Sequence, residues 1–419
     1  MSNRSFLEKL LDGASVQWSP LWEVTSWDKK YTGVKREKQP QICNYSHLLA
    51  VDLFKLEKEG GDVFLLSTGE RSGWTTEALA GSNLREGEVV AIPWGKSRPL
   101  REVLKYYKGR FVTGDNRIAV SNDPKRLLPK FLYYWLAYKA EVIDTFYRGS
   151  GIQHPSMAAV LEMKIPLPGV EIQAEIVRIL DSFTELTAEL TAELTAELKA
   201  RRQQYNHYRD KLLSHPSGNM AWKPLGWVGE VRMCKRVMKN QTSADGDIPF
   251  FKIGTFGKEP NAFISRELFE EFKGKYSYPK VGEVLISASG TIGRSVVFDG
   301  EEAYFQDSNI VWLENDESKV LNKYLFYFYQ IANWHVSDGG VIKRLYNDNI
   351  KKTVIAVPYP DDPEKSLEEQ ARIVAILDKF DTLTTSLSEG LPREIKLRQQ
   401  QYEYYRDLLL SFPKPEEAA

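Results

Sequence analysis

Apolar residues in the middle of this 419-residue chain recur in steps of three and four. They fall at Ile172, Ile176, Ile179, Leu180, Phe183, Leu186, Leu190, Leu194 and Leu198, then at Tyr205, Tyr208 and Leu212. That spacing lays one stripe along one helical face and predicts a helix over 173–214. A second stripe runs through Ile373, Ile376, Leu377, Phe380, Leu383, Leu387 and Leu391. Elsewhere the period changes. Short apolar runs at 63–66, 89–92, 284–286 and 310–313 are bounded by Gly, Asp and Asn, and read as strands. The predicted order is a mixed α/β globule, a helix, a second globule and a second helix.

The two stripes belong to one duplication. Residues 173–187 (QAEIVRILDSFTELT) match 370–384 (QARIVAILDKFDTLT) at 10 of 15 positions, at an offset of 197. The same offset aligns 201–214 (RRQQYNHYRDKLLS) with 398–411 (RQQQYEYYRDLLLS), with 10 identities in 14. Between these motifs the first copy carries the tetrapeptide TAEL three times, at 187–190, 191–194 and 195–198. Ala, Glu and Leu are strong helix formers, and Thr is only mildly unfavourable. The second copy carries Gly390 and Pro392 instead, a signal for a helix to stop and restart. Two such stripes are natural partners, and the intervening globule favours an antiparallel pair. A buried helix pair would account for the leucines. It would not account for a tetrapeptide copied three times in one half only.

The globules repeat more loosely. WSPL at 18–21 matches WKPL at 222–225, and GEVV at 87–90 matches GEVL at 282–285. Each then reaches a glycine loop, GKSR at 95–98 or SGTIGR at 289–294. Asn116 and Asn309 correspond, and aromatic helices are predicted at 130–135 (KFLYYW) and 323–328 (KYLFYF). Proline strings at 165–168 (IPLP) and 357–360 (VPYP) punctuate the approach to each long helix. A scaffold kept while the surface diverged suggests one task performed on two targets.

Composition narrows the task less than the repeat does. The net charge of −1 does not announce a nucleic-acid binder. Its distribution does more: residues 93–130 hold ten Lys or Arg against three acids, and Arg232, Lys235, Arg236 and Lys239 cluster without an acid. Such patches can bind phosphate locally, or they can be solvated faces. Cys43 and Cys234 lie one in each half, which fits a reducing cytoplasm rather than a disulfide framework. The five histidines show no zinc spacing. The longest apolar run, 131–138, is too short to span a bilayer, so no membrane association is expected. Gly95-Lys96-Ser97 ends like a P-loop, but the required first glycine would be Val90.

The duplicated QxxIVxILDxF and QQYxxYRDxLLS motifs, the TAEL units and the WxPL openings together resemble the specificity subunit of type I restriction-modification enzymes. The TAEL units look like those of the IC subfamily. The resemblance covers the whole chain. It implies an α+β fold with two target recognition domains separated by an antiparallel helical coiled-coil pair. The expected divisions are 1–163, a first recognition domain; 164–214, the central spacer helix; 215–353, a second recognition domain; and 354–419, a distal helix broken near Gly390–Pro392. It further implies a bipartite, asymmetric duplex DNA site. The expected partners are two methyltransferase subunits carrying S-adenosylmethionine and two motor-nuclease subunits using ATP and Mg. The chain itself would be non-catalytic and without a cofactor or metal. The alternatives are a stand-alone two-headed DNA-binding regulator and a protein-only scaffold.

Base reading needs donors and acceptors that reach groove edges, and backbone positioning needs cations, hydroxyls or glycine loops. Candidates in the first globule are Arg71, Lys96, Ser97, Arg98, Arg148, Gln153 and His154. In the second they are Lys252, Ser289, Thr291, Arg294, Lys343 and Arg344. Candidate spacer and subunit-interface residues are Phe183, Leu190, Leu194, Leu198, Tyr205, Tyr208, Phe380, Leu387, Tyr402 and Tyr405. The expected unread gap is roughly 7 base pairs, given half-sites about one helical turn apart.

Overall fold

The computed structural model describes residues 6–214, 219–336, 344–386 and 389–413. The chain forms two compact units, Met1–Ala192 with Lys396–Ala419, and Glu193–Ile395. The first is built on a six-stranded sheet in the order Thr25–Trp27, Asn116–Ser121, Arg85–Pro93, Lys105–Thr113, Val63–Leu66, Gly73–Thr75. Its neighbours run antiparallel except Val63–Leu66 against Lys105–Thr113. The WSPL segment forms the strand Gln17–Pro20, which pairs with Lys164–Leu167, so Trp18 lies opposite Pro166. The opening and closing strings of the globule therefore meet at the foot of the central helix.

The second unit repeats the first four strands of that order, with the last two of them shorter. Its four-stranded sheet runs Gly229–Arg232, Ile310–Asn315, Val284–Ser287, Ser295–Val297. A three-stranded sheet of Phe263–Ile264, Ile248–Phe251 and Tyr304–Phe305 lies in the same unit. WKPL opens the strand pair Met220–Pro224 with Val354–Pro358, Trp222 opposite Ala356.

Each unit has an aromatic helix, Pro129–Tyr138 or Asn322–Tyr329. Pro129 stands in the first turn of its helix, where the missing N–H costs nothing. Phe131, Leu132, Trp135 and Leu136 are all but fully buried, as are Tyr324, Leu325 and Tyr327. The central helix is continuous from Val170 to Ser214, 45 residues. The distal segment is two helices, Pro363–Thr385 and Leu391–Leu410. The first starts under Asp362, whose side chain accepts from the Lys365 N–H. At Gly390 a Cβ would lie 2.5 Å from the Thr382 carbonyl oxygen, so only glycine fits against the end of that helix.

The repeated motif residues now have a physical role. Gln173 is fully buried; its carbonyl oxygen accepts from the Leu128 N–H at 3.0 Å, and its amide donates to the carbonyls of Arg126 and Pro168. Gln370 does the same with the Leu321 N–H and the Lys319 carbonyl. Two turns on, Asp181 takes Lys130 at 2.8 Å and the Tyr134 hydroxyl at 2.6 Å. Asp378 takes Lys323 at 3.0 Å and the Tyr327 hydroxyl. Each globule is thus fastened to its helix by one glutamine and one aspartate. Gln173→Leu would strand a buried N–H and two carbonyls. It is expected to destabilise the first unit by about 2–3 kcal/mol, measured by denaturant unfolding.

Candidate nucleic-acid interface

In the first unit the structure gathers the predicted residues from three separate loops. The 94–98 loop bridges antiparallel to the 149–154 loop through mutual Lys96 and Gln153 backbone hydrogen bonds of 3.0 and 3.1 Å. Arg148 and His154 face each other across the hairpin Tyr147–Arg148 with His154–Pro155. The His154 ring meets the Trp94 carbonyl through Nδ1 at 3.0 Å. Arg98 pairs with Glu70, which brings the turn carrying Arg71 alongside. Arg71 itself pairs with Glu57 and lies over the Phe54 ring. Ser97, Arg98, Arg148 and His154 are exposed, and Gln153 is half-buried.

Lys96 is different. It is buried, with its ammonium 2.9 Å from Asp144 and over the Tyr147 ring. It ties the loop to the body of the unit rather than facing outward. The basic stretch around it follows the same logic. Of the ten cations between 93 and 130, eight pair with carboxylates: Lys96, Arg98, Arg101, Lys108, Arg110, Arg117, Arg126 and Lys130. Lys105 donates to the Ser67 hydroxyl, and burial lowers its pKa to about 8. The local excess of charge is largely neutralised by acids from elsewhere in the unit, which makes this stretch a weaker phosphate surface than its composition suggests.

The second unit repeats the bridge between its glycine loop and a later loop, here Ser289 with Arg344. Ser289 is buried and its hydroxyl donates to Asn309 at 2.7 Å. Arg344 donates to the Ser308 carbonyl at 3.0 Å. Arg294 donates to the Phe256 carbonyl, and Thr291 stays exposed at the loop tip. Lys343 lies outside the described residues. Beside this bridge is a concavity of about 400 Å³ whose rim includes Arg236, Lys239, Lys252, Gln306, Asn309 and Arg344. Arg236 pairs with Asp307 at 2.9 Å, while Lys239 and Lys252 make no ion pair among the described residues. The 232–239 cluster is visible in the sequence, but only the folded unit brings its Arg236 and Lys239 together with Lys252 and Arg344.

The spacer residues also meet, within each unit. Phe183 stacks on Tyr405 at 5.4 Å, and Tyr402 accepts from the Thr184 hydroxyl at 3.1 Å. Tyr208 stacks on Phe380 at 5.9 Å, with Tyr205 next to it. By the 197-residue offset, these two stacks are equivalents with the partners exchanged. Antiparallel packing is thereby fixed in each unit. Leu190, Leu194 and Leu198 are only half-buried, and Leu387 lies outside the described residues.

Comparison with known proteins reads this duplication directly. The type I restriction modification DNA specificity domain matches twice, at residues 101–200 and 219–397. The chain belongs to the type I restriction-modification specificity subunits. It is 34% identical over 438 residues to the EcoR124I/EcoR124II specificity subunit of Escherichia coli, covering 99% of both chains. It is 46% identical over 416 residues to a Haemophilus influenzae chain assigned to the same subunits, covering 98% of this chain and 99% of that one. Its fold resembles a chain from a solved structure on complex assembly in a type I restriction-modification system. The TM-score is 0.60 at 16% identity, over 95% of this chain and 98% of the other. Specificity subunits recognise DNA sequence for a larger enzyme, and recognition rather than catalysis is the role of this chain. No helix among its described residues is long and apolar enough to cross a membrane.

Proposed function

We propose that each unit reads one half of a bipartite, asymmetric duplex site, and that the helices set the gap between halves. The chain directs two methyltransferase subunits, which carry S-adenosylmethionine, to one adenine in each half-site. Two motor-nuclease subunits using ATP and Mg join the same core to translocate and cleave unmodified DNA. The chain contributes no catalytic group, and it acts in the cytoplasm. The TAEL units make it a type IC member.

One observation carries this reading. Both units build a glycine loop bridged to a later loop, yet the side chains on the two platforms differ. The first presents Arg98, Arg148, Gln153 and His154; the second presents Thr291 and Arg344, with Lys239 and Lys252 on the rim of the concavity beside them. A shared platform with different donors is what reading two different half-sites requires. The test is co-purification followed by methylome sequencing. Co-expressed with its methyltransferase partner, the chain is expected to bring that partner down and to yield methylated adenines in two short motifs a fixed gap apart. A chain that binds duplex DNA alone and recruits no methyltransferase would instead be a regulator.

The lysines of the second unit give a quantitative check. Lys239→Ala and Lys252→Ala are each expected to weaken binding evenly across sequences. Each would reduce the slope of log affinity against log salt by about 1. Titrations at several salt concentrations measure that slope.

A further inference from the structure

The candidate interface of the first unit has an exposed apolar member that the charge pattern does not suggest. Ile152 stands at the turn of the 149–152 loop and is 66% exposed. Its neighbours in the bridged loops are polar: Ser97, Arg98, Arg148, Gln153 and His154.

Exposure of a single isoleucine is ordinary on a protein surface. Its fixation is not. At Gly95 a Cβ would lie 2.7 Å from Ile152 Cγ2, so the side chain rests where Gly95 has none. At Gly149, whose φ is +137°, a Cβ would lie 2.7 Å from the Ile152 carbonyl oxygen. The next residue, Gln153, is locked by the backbone bridge to Lys96, and Lys96 is anchored by Asp144. Two glycines and the ion pair of buried Lys96 with half-buried Asp144 therefore hold one branch of Ile152 against the loop. The residue nevertheless stays largely open to solvent. A preorganised apolar surface on loops that also carry hydrogen-bond donors matches the thymine edge in the major groove, the one base edge there that presents a methyl group.

We propose that Ile152 is a specificity-determining residue that packs on the 5-methyl group of a thymine in the half-site read by the first unit. The proposal rests on the assignment of these loops to DNA reading. Arg98 and Arg148 position the loop on the backbone, Gln153 supplies polar readout, and Ile152 rejects a pair that places no methyl group at its position.

The test uses the chain assembled with its methyltransferase partner, on the half-sites that methylome sequencing supplies. Each thymine of that half-site is replaced in turn by deoxyuridine, which keeps pairing and deletes only the methyl. At one position the parent complex is expected to lose about fourfold in affinity, the worth of one buried methyl group. Ile152→Ala is expected to bind more weakly and to be indifferent to that replacement, whereas Ile152→Val keeps the sensitivity. Ile152→Ala retaining the full fourfold penalty, or no deoxyuridine position mattering to the parent, would overturn the proposal. Arg148→Ala separates the two levels. Weaker, less salt-dependent binding by Arg148→Ala, with an unchanged response in Ile152→Ala, defeats only the thymine contact. Parent-like binding by Arg98→Ala, Arg148→Ala and Ile152→Ala together removes the loops from the interface.

Discussion

Deleting one TAEL unit from the central helix is expected to move methylation to sites whose gap is one base pair shorter, with both half-sites unchanged. The helix is unbroken through all three units, so a deletion shortens a rod rather than slackening a loop. Four residues account for about 6 Å of rise and about 40° of rotation beyond a full turn. For a helix lying along the duplex, the rotation is close to the twist of one base pair, about 35° at 10–10.5 pairs per turn. The rise is nearer two pairs, at about 3.4 Å each. Rotation decides, because a reading loop turned off phase faces backbone instead of groove edge. The excess length is absorbed where the distal segment is already interrupted, between Thr385 and Leu391. The parent site should lose about 100-fold or more in methylation, since a half-site out of register forfeits several base contacts at about 1–3 kcal/mol each. Sequencing the sites methylated by the variant gives the gap directly. Altered half-site bases at an unchanged gap would overturn the ruler.

The parts of this molecule that were legible in sequence are those fixed by local pattern. The helical stripe gave a helix over 173–214, and the helix runs Val170–Ser214. Gly390 and Pro392 marked an interruption that the backbone makes between Thr385 and Leu391. The apolar run at 63–66 is the strand Val63–Leu66. What local pattern could not supply was pairing at a distance. Lys96 read as an open loop cation, yet Asp144 lies 48 residues further on and neutralises it. Arg110 is matched by Asp62 and Glu77 from other parts of the unit. A count of charges along a window sees none of these acids. Gln173 and Asp181 were visible as identities between repeats, but apart from Pro168 their hydrogen-bond partners lie 45 to 51 residues away. The basic rim of Lys239, Lys252 and Arg344 exists only once the second unit is folded.

Breaking the buried pair of Asp28 and Arg117 should be the most costly single change in the first unit. Arg117 is 1% exposed and Asp28 2%, with Nη1 and Oδ2 2.8 Å apart. Asp28 Oδ1 also accepts from the Tyr31 hydroxyl at 2.6 Å and the Ile118 N–H at 3.1 Å. Burial first, and then the Asp28 charge, push the Tyr31 phenol far up, so it remains a donor. Asp28→Ala removes three partners at once from groups that cannot reach water. Arg117→Met leaves a buried carboxylate without its cation. Each is expected to cost about 3–5 kcal/mol, read from denaturant unfolding of the first unit. The damage should extend to recognition. The Arg117 guanidinium lies 4.6 Å from the centre of the Trp94 ring, and the Trp94 carbonyl meets His154, so the pair supports both sides of the bridged loop. Combining Asp28→Leu with Arg117→Met should recover part of the stability, because no buried charge is then left unpaired, while the Tyr31 hydroxyl and the Ile118 N–H still lack their acceptor. It should not restore affinity for the first half-site, since the support beneath Trp94 is gone. Single variants that unfold within about 1 kcal/mol of the parent would show that water reaches this pair. The loop would then have to owe its shape to Lys96 and Asp144 alone.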